Sequence, residues 1–370
     1  MNKIYITTFI KAHNYGAALQ AYALQECLKE RGYISYFLNY KDELIERNYK
    51  IVKVNGKNLK QRLKSFIRSV IFFNLNFKHY KKFQLFEEKK LNLYPLKPQK
   101  AKYFYQENFD RDILITGSDQ VWNYEITNGL SDIYSLNFGS EKTKKISYAA
   151  SIGKNKIDDS LILEYAKKLS KINMISVREN TGKMILKEII PQKDISVVLD
   201  PTLLLTKEIW TSKVQEMEAE KEKYILAYMV EEDKEYMKIV EELSNKTGLK
   251  IIHFDKRNKY RNVLRKAYID GPLEFVNLIK NAEYVVATSF HATVFSIIFN
   301  NKFWIVPHKT TGSRVTDLLK KFNISNRAVT SLEEFKEKNY DENINYEEVN
   351  KILEKEREKS LKWLIDAIEK

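Results

Sequence analysis

Cysteine is almost absent: Cys27 stands alone in 370 residues. A single thiol excludes an internal disulfide framework and any cysteine-based zinc centre. It lies in "ALQECLKE", on a helical pattern, where a buried structural role is expected. Long apolar runs are missing too. The nearest approach, "ATSFHATVFSIIFNNKFWIV" (287–306), is cut by Asn300, Asn301 and Lys302 and carries Ser289 and His291. A membrane span needs about 20 continuous apolar residues, so this stretch reads as two shorter elements joined at "NNK". The opening "MNKIYITTFIKAHNYGAALQ" starts directly on a strand-like run. It lacks a leader's apolar block and small-residue cleavage site, and the cytoplasm is the expected compartment.

Carboxylates are in deficit: 49 Asp and Glu face 63 Lys and Arg, a formal charge of +14. A basic chain suits anionic partners, whether phosphorylated substrates, lipid surfaces or nucleic acid. Zinc-finger spacing and RNA-binding signatures are lacking, so nucleic acid is not expected. Neither a GxxxxGK[ST] phosphate loop nor a GxGxxG dinucleotide turn occurs, nor HExxH, nor GxSxG. P-loop hydrolysis, nicotinamide-linked hydride transfer, zincin proteolysis and α/β-hydrolase chemistry all lose support.

What is present is an alternation of strands and helices. "KIYITTF" (Lys3–Phe9), the amphipathic 16–32 helix and "SYFLNY" (Ser35–Tyr40) make one βαβ unit, which implies a parallel sheet. The stretch from Lys41 to Lys100 is rich in Lys, Phe, Tyr and Leu at helical spacing. It reads as a helical insertion (about 41–108) with a basic face. Such a face suits either contact with an anionic membrane or lipid-linked substrate, or helices packed on the domain with solvated lysines. Strand signals resume at 111–117, 144–151, 173–179 and 196–200. After "DPTLLL" a second set begins, at 224–230, 250–255, 284–289 and 303–307. Two Rossmann-like domains follow, 1–204 and 205–344, with a charged C-terminal helix at 345–370.

Ligands in such sheets bind beyond the carboxyl ends of the strands. After the first strand come Lys11, His13, Asn14, Tyr15 and Gly16 at a helix start, which reads either as a hydroxyl- or phosphate-binding turn or as a loop and cap. After "RDILITG" come Ser118, Asp119, Gln120, Trp122 and Asn123. That cluster fits a sugar site, in which a ring stacks and amides and carboxylates bind hydroxyls. The alternative makes Asp119 a cap and Trp122 core. Arg178 follows "MIS" and can grip a carboxylate or phosphate through its planar fork, or form an ion pair. Ser289 and His291 fall at a strand-to-helix turn, with His308 and Arg314 after the next strand, a candidate anion pocket.

Six stretches in this order, "HNYGAALQAYALQ", "GSDQVWN", "SYAASIG", "SVREN", "VLDPTLLL" and "TSFHATVFSIIFNNKFWIV", resemble the polysaccharide pyruvyl transferase family. The match runs from the first strand to about Arg327 and weakens in the insertion and the C-terminal tail. The resemblance implies two Rossmann-like domains in a GT-B-like arrangement and transfer of pyruvate from phosphoenolpyruvate to a sugar as a ketal. It implies a donor against the C-terminal domain with Arg178 and His291 on it; Ser289, His308 and Arg314, from the reading of the anion pocket, complete the expected donor-binding set. His291 would be the general acid and Asp119 the acceptor of a hydroxyl proton. His13, Asn14, Tyr15, Gly16, Ser118, Gln120 and Trp122 would hold a sugar or lipid-linked saccharide. No metal or cofactor is expected beyond the donor substrate. This chain departs from the family at Ser289-Phe290-His291, where well-studied members carry Arg-Leu-His. The missing arginine removes a charge-assisted contact of roughly 1.5–3 kcal/mol. That departure leaves room for a glycosyltransferase using a nucleotide-sugar, or for a non-catalytic glycan-binding component.

Overall fold

The computed structural model describes residues 3–370 except Asn55, Lys57, Asn258 and 308–311, with the backbone alone at Ser313. Twelve short strands form two wholly parallel sheets among the described residues. The first contains β1 (Ile4–Thr7), β2 (Ser35–Tyr40), β3 (Leu93–Gln99), β4 (Ile113–Thr116), β5 (Lys144–Ala150), β6 (Met174–Val177) and β7 (Ile195–Val197), in the order β3-β2-β1-β4-β5-β6-β7. The second contains β8 (Tyr224–Tyr228), β9 (Lys250–His253), β10 (Val263–Lys266), β11 (Tyr284–Ala287) and β12 (Lys302–Ile305), in the order β10-β9-β8-β11-β12. Every residue of β1, β4, β8 and β11 is buried. This is why these strands read as continuous apolar runs: helices cover both faces of a parallel sheet. The direction of winding reverses between β1 and β4 and between β8 and β11, and such switch points open a crevice at the carboxyl edge.

Local chemistry sets the helix boundaries. Asn14 caps the helix Tyr15–Lys29 by accepting from the Ala17 N–H (3.2 Å). Thirteen of that helix's fifteen residues are buried, so it runs through the first core, and Cys27 is fully buried within it. Burial pushes the Cys27 thiol up to about 12, which keeps it protonated and unreactive. "NNK" does separate two elements. Asn300 ends the helix Phe290–Phe299 in the left-handed region, at φ 60°. The buried Asn301 amide then donates to the carbonyls of Ile279 and Ala282 (3.0 and 3.1 Å).

The chain forms two compact units: Met1–Lys50, Leu85–Leu205 and Glu354–Lys370 in the first, Ile51–Gln84 and Thr206–Leu353 in the second. One break between the units falls after Leu205. The helical insertion, expected to belong wholly to the first domain, is instead divided. Its 51–84 part joins the second unit because its side chains find partners about 190 residues away. The His79 ring stacks on Tyr268 at 4.9 Å and bonds the Tyr268 carbonyl at 2.7 Å, and Lys82 pairs with Glu274. The rest of the insertion includes β3, an edge strand carrying Pro95 and Pro98. Prolines hide such a strand from pattern reading and confine it to an edge. The C-terminal helix, Tyr346–Glu369, is also shared between units. In the first unit Ser360 accepts from the Leu199 N–H (3.0 Å) and Arg357 donates to the Leu203 carbonyl (2.9 Å). These bonds satisfy backbone groups that burial would otherwise orphan.

Candidate active site

At the carboxyl edge of the first sheet, the motif residues bind chiefly one another. Asp200 of "VLDPT" receives bonds from Arg178 Nη1 (2.9 Å) and Ser118 Oγ (2.8 Å) on Oδ2. Its Oδ1 accepts from the Thr202 N–H (3.0 Å) and hydroxyl (2.6 Å). Glu179 lies 3.7 Å from Arg178 Nε and accepts from Ser151 Oγ (2.7 Å). Burial opposes the Arg178 charge, but Asp200 and Glu179 outweigh it and hold the guanidinium above its ordinary value. The Arg178 side chain is 2% exposed and that of Asp200 0%. This corrects the expectation that Arg178 offers its fork to a donor: the charge is already engaged inside the first unit, where it fixes three loops to one another.

Four residues expected on the acceptor side are buried as well. Trp122 is 0% exposed and its indole N–H donates to the Tyr134 carbonyl (3.0 Å), so it is core and offers no ring face to a sugar. Ser118 is equally buried and spends its hydroxyl on Asp200. Tyr15 and Gly16 are buried in the first turn of their helix, whose packing they serve.

The half-exposed remainder gathers polar groups. Asp119 holds φ at +81°, uncommon for a residue other than glycine. Its carboxylate accepts from the Gln120 N–H (2.8 Å) and its carbonyl from the Ser151 N–H (3.0 Å). Such a conformation costs of order 1–3 kcal/mol and persists where neighbours impose it. The Gln120 side chain accepts from the Asn123 amide (2.9 Å). It occupies space that only a glycine leaves open: a Cβ at Gly153, where φ is +66°, would meet Gln120 Oε1 at 2.0 Å. His13 lies with its ring 5.5 Å from that of Tyr49. Burial, with a contribution from the Asp119 charge, pushes the Tyr49 hydroxyl up to about 12. Lys11 pairs with Glu87, whose carboxyl burial holds above the usual range although Lys11 pulls it down. Tyr49 and Glu87 escaped the sequence reading because they sit in the segment read only as helical.

In the second unit the switch-point residues are ordered by the backbone. Thr288 donates its N–H to Tyr228 (3.1 Å) and accepts the Val230 N–H on its hydroxyl (3.0 Å), tying the ends of β8 and β11. Ser289 caps the helix Phe290–Phe299 through the Ala292 N–H (3.5 Å). His291 is buried in its first turn, edge-on to Phe290 at 5.2 Å. Arg314 stands half-buried in the first turn of the helix Ser313–Lys321. His308 lies outside the described residues.

Sequence reasoning passed over His253, at the end of β9. It is buried, accepts the Asp255 N–H on Nδ1 (3.3 Å) and packs edge-on to Tyr260. Burial drives its imidazole down to about 4, despite Asp255. Among the described residues no three His, Cys, Asp or Glu side chains come together as a metal-ligand set.

The description polysaccharide pyruvyl transferase belongs to a family model that matches residues 14–310, a span that includes the second sheet's switch point and every strand except β1. The chain belongs to the polysaccharide pyruvyl transferase family. Membership makes it a transferase, and the motifs that bind one another in the first unit lie within the matched span. Among curated proteins none matches the sequence. Among solved structures, a UDP-GlcNAc 2-epimerase from Neisseria meningitidis aligns at a TM-score of 0.51 and 10% identity, over 100% of this chain and 99% of its own. A UDP-N-acetylglucosamine 2-epimerase from Rickettsia bellii gives 0.46 at 11% identity, over 99% and 96%. A glycosyltransferase from a Streptomyces species gives 0.40 at 12% identity, over 97% and 96%. At 10% identity the likeness to the Neisseria meningitidis structure is one of fold, with two parallel-sheet domains of the GT-B-like class.

Proposed function

We propose that this family member moves pyruvate from phosphoenolpyruvate to a sugar of a cell-surface polysaccharide or its precursor, in the cytoplasm and at an anionic membrane surface. Family membership across residues 14–310 carries the reading, and the place of His291 at the second sheet's switch point supports it. Donor chemistry falls to the second unit. His291 gives a proton to C3 of the enol, a sugar hydroxyl attacks C2, and a second hydroxyl closes the ketal as phosphate leaves. The pyruvyl carbon skeleton keeps its oxidation level, so the reaction consumes donor and diol and yields ketal and phosphate alone. Arg314 is the cation placed to offset charge on the departing phosphate. Acceptor recognition falls to the first unit. Asp119 takes a hydroxyl proton, and Asn14, His13 and Gln120 orient the sugar. Arg178 serves by positioning the loops that carry Asp119 and Ser151.

Membrane contact is supported by the helix Leu59–Ile71. It exposes Leu59, Leu63, Phe66, Ile67, Val70 and Ile71, and the 51–84 segment carries seven lysines, two arginines and no carboxylate. An apolar ridge flanked by cations suits an anionic lipid interface. No helix among the described residues is long and apolar enough to cross a membrane.

The decisive assay measures phosphate released from phosphoenolpyruvate as a function of added glycan. Glycan-dependent release is expected, and His291→Ala should reduce it by about 100-fold or more, the usual contribution of a general acid. Full activity in that variant removes His291 from the mechanism. The second reading, a nucleotide-sugar donor, draws on Ser289, whose hydroxyl is occupied as a helix cap where the family's arginine would stand. Thermal stabilisation by UDP- or GDP-sugars but not by phosphoenolpyruvate would favour it.

A further inference from the structure

The second unit contains a cation-lined cavity of about 400 Å³ that the reaction above does not use. Its floor is the carboxyl edge of β8 and β9, with Val230, Phe254, Lys256 and Arg257. Its wall is the 51–84 segment, with Lys53 and Arg68. Four cations and one carboxylate, Asp255, face the space. Asp255 is already occupied by Arg257, at 3.3 Å from Nε and 3.2 Å from Nη2, and by Lys259 at 3.6 Å.

The remaining positive charges are held without counter-ions among the described residues. Lys256 Nζ has neutral partners: the Asn76 carbonyl oxygen at 3.1 Å, the Phe72 ring at 5.0 Å and the Tyr268 ring at 5.4 Å. Asn76 is itself fixed, since it donates to the Ile51 carbonyl (3.1 Å) and accepts from the Tyr268 hydroxyl (3.0 Å). Among the described residues neither Lys53 nor Arg68 forms an ion pair. Burial lowers the Lys53 ammonium, and burial together with the Lys53, Arg68 and Arg257 charges lowers that of Lys256. A protein that gathers like charges around an empty, partly desolvated space stabilises an anion there. The volume suits a diphosphate with part of its ester. Ser69 adds nothing further, because its hydroxyl is spent on the backbone at Lys53 and Ser65.

We propose that this cavity binds a phosphate or diphosphate ester, gripped by Lys53, Arg68 and Lys256, with Arg257 beside it already paired to Asp255 and Glu232. None of its lining residues is among those assigned to the transfer reaction. Half of its charge comes from the 51–84 segment, so that segment is a ligand-binding element.

The test is calorimetric titration of the full chain with inorganic pyrophosphate at low salt. Saturable binding that weakens as salt is raised is expected. Arg68→Gln, at an exposed position that folding does not require, and Lys256→Gln should each weaken binding by about tenfold or more. Lys234→Gln, on an exposed position of another helix, should leave it unchanged. A competition arm identifies the source of the phosphate. Displacement of pyrophosphate by vesicles of phosphatidylcholine with phosphatidic acid, but not of phosphatidylcholine alone, assigns a lipid headgroup; failure to displace assigns a soluble ester. Absence of pyrophosphate binding, or equal binding by wild type, Arg68→Gln and Lys256→Gln, overturns the proposal.

Discussion

Replacing Asp200 by Asn separates a structural from a substrate-binding role for Arg178. The substitution keeps an acceptor for Thr202 but removes the charge that lies 2.9 Å from Arg178 Nη1. The guanidinium then remains inside the first unit with Glu179 as an ionic neighbour, at 3.7 Å. Breaking a buried pair this way costs about 3–5 kcal/mol, because one charge is left without its compensation. With a urea dependence of about 3 kcal/mol per molar, the upper end of the usual range because the slope grows with chain size, the unfolding midpoint should fall by roughly 1–2 M. Arg178→Met should fall comparably. The double variant Arg178→Met/Asp200→Asn should be no worse than Arg178→Met, since Asp200 no longer carries an unpaired charge and Glu179 keeps its bond from Ser151. Equilibrium unfolding, followed by fluorescence of the buried Trp122, gives the three midpoints. Steady-state kinetics supply the second axis. A positioning role lowers kcat in Arg178→Met and Asp200→Asn alike. If Arg178→Met unfolds with wild-type stability and instead raises KM for phosphoenolpyruvate selectively, the internal network is not what holds this arginine, and the reasoning fails.

Other expectations test separate pieces. His253 is held near 4 in the folded protein, against 6.5 for an ordinary imidazole, so the unfolded chain takes up the proton first. Stability from this group is fully present above about pH 6.5 and is lost as pH falls toward 4, by up to about 3 kcal/mol; His253→Gln should flatten that slope in urea melts, and parallel curves would contradict it. Gly153→Ala forces a side chain into a left-handed backbone and against Gln120. It should cost about 1–2 kcal/mol from the backbone alone, and raise KM for the acceptor more than for the donor. Ile67→Ser and Ile71→Ser, both at exposed positions, should leave thermal stability intact while reducing co-sedimentation with phosphatidylglycerol-containing vesicles by about tenfold. Equal sedimentation of variants and wild type would place the ridge away from the membrane.

Local signals were enough for the elements and for the family. The buried parallel strands announce themselves as short apolar runs, and Asn14, Gly248 and Asn300 mark helix ends by their own backbone and side-chain chemistry. Spacing likewise placed His291 at the carboxyl edge, because a strand-to-helix turn is a property of neighbouring residues. The edge strands β3 and β10 were not legible: one carries two prolines, and the other is four half-exposed or exposed residues long.

What each polar side chain does was decided by tertiary structure. Arg178, Ser118 and Asp200 lie 60 and 22 residues apart along the chain, and nothing local reveals that they neutralise one another. Trp122 looked like a sugar platform until the Tyr134 carbonyl and the surrounding core enclosed it. The 51–84 segment reads as a basic helical insertion, but its membership of the second unit rests on contacts with Tyr268 and Glu274. Sequence fixes propensity and periodicity over a few residues, whereas burial and charge pairing are sums over neighbours that only the folded chain brings together.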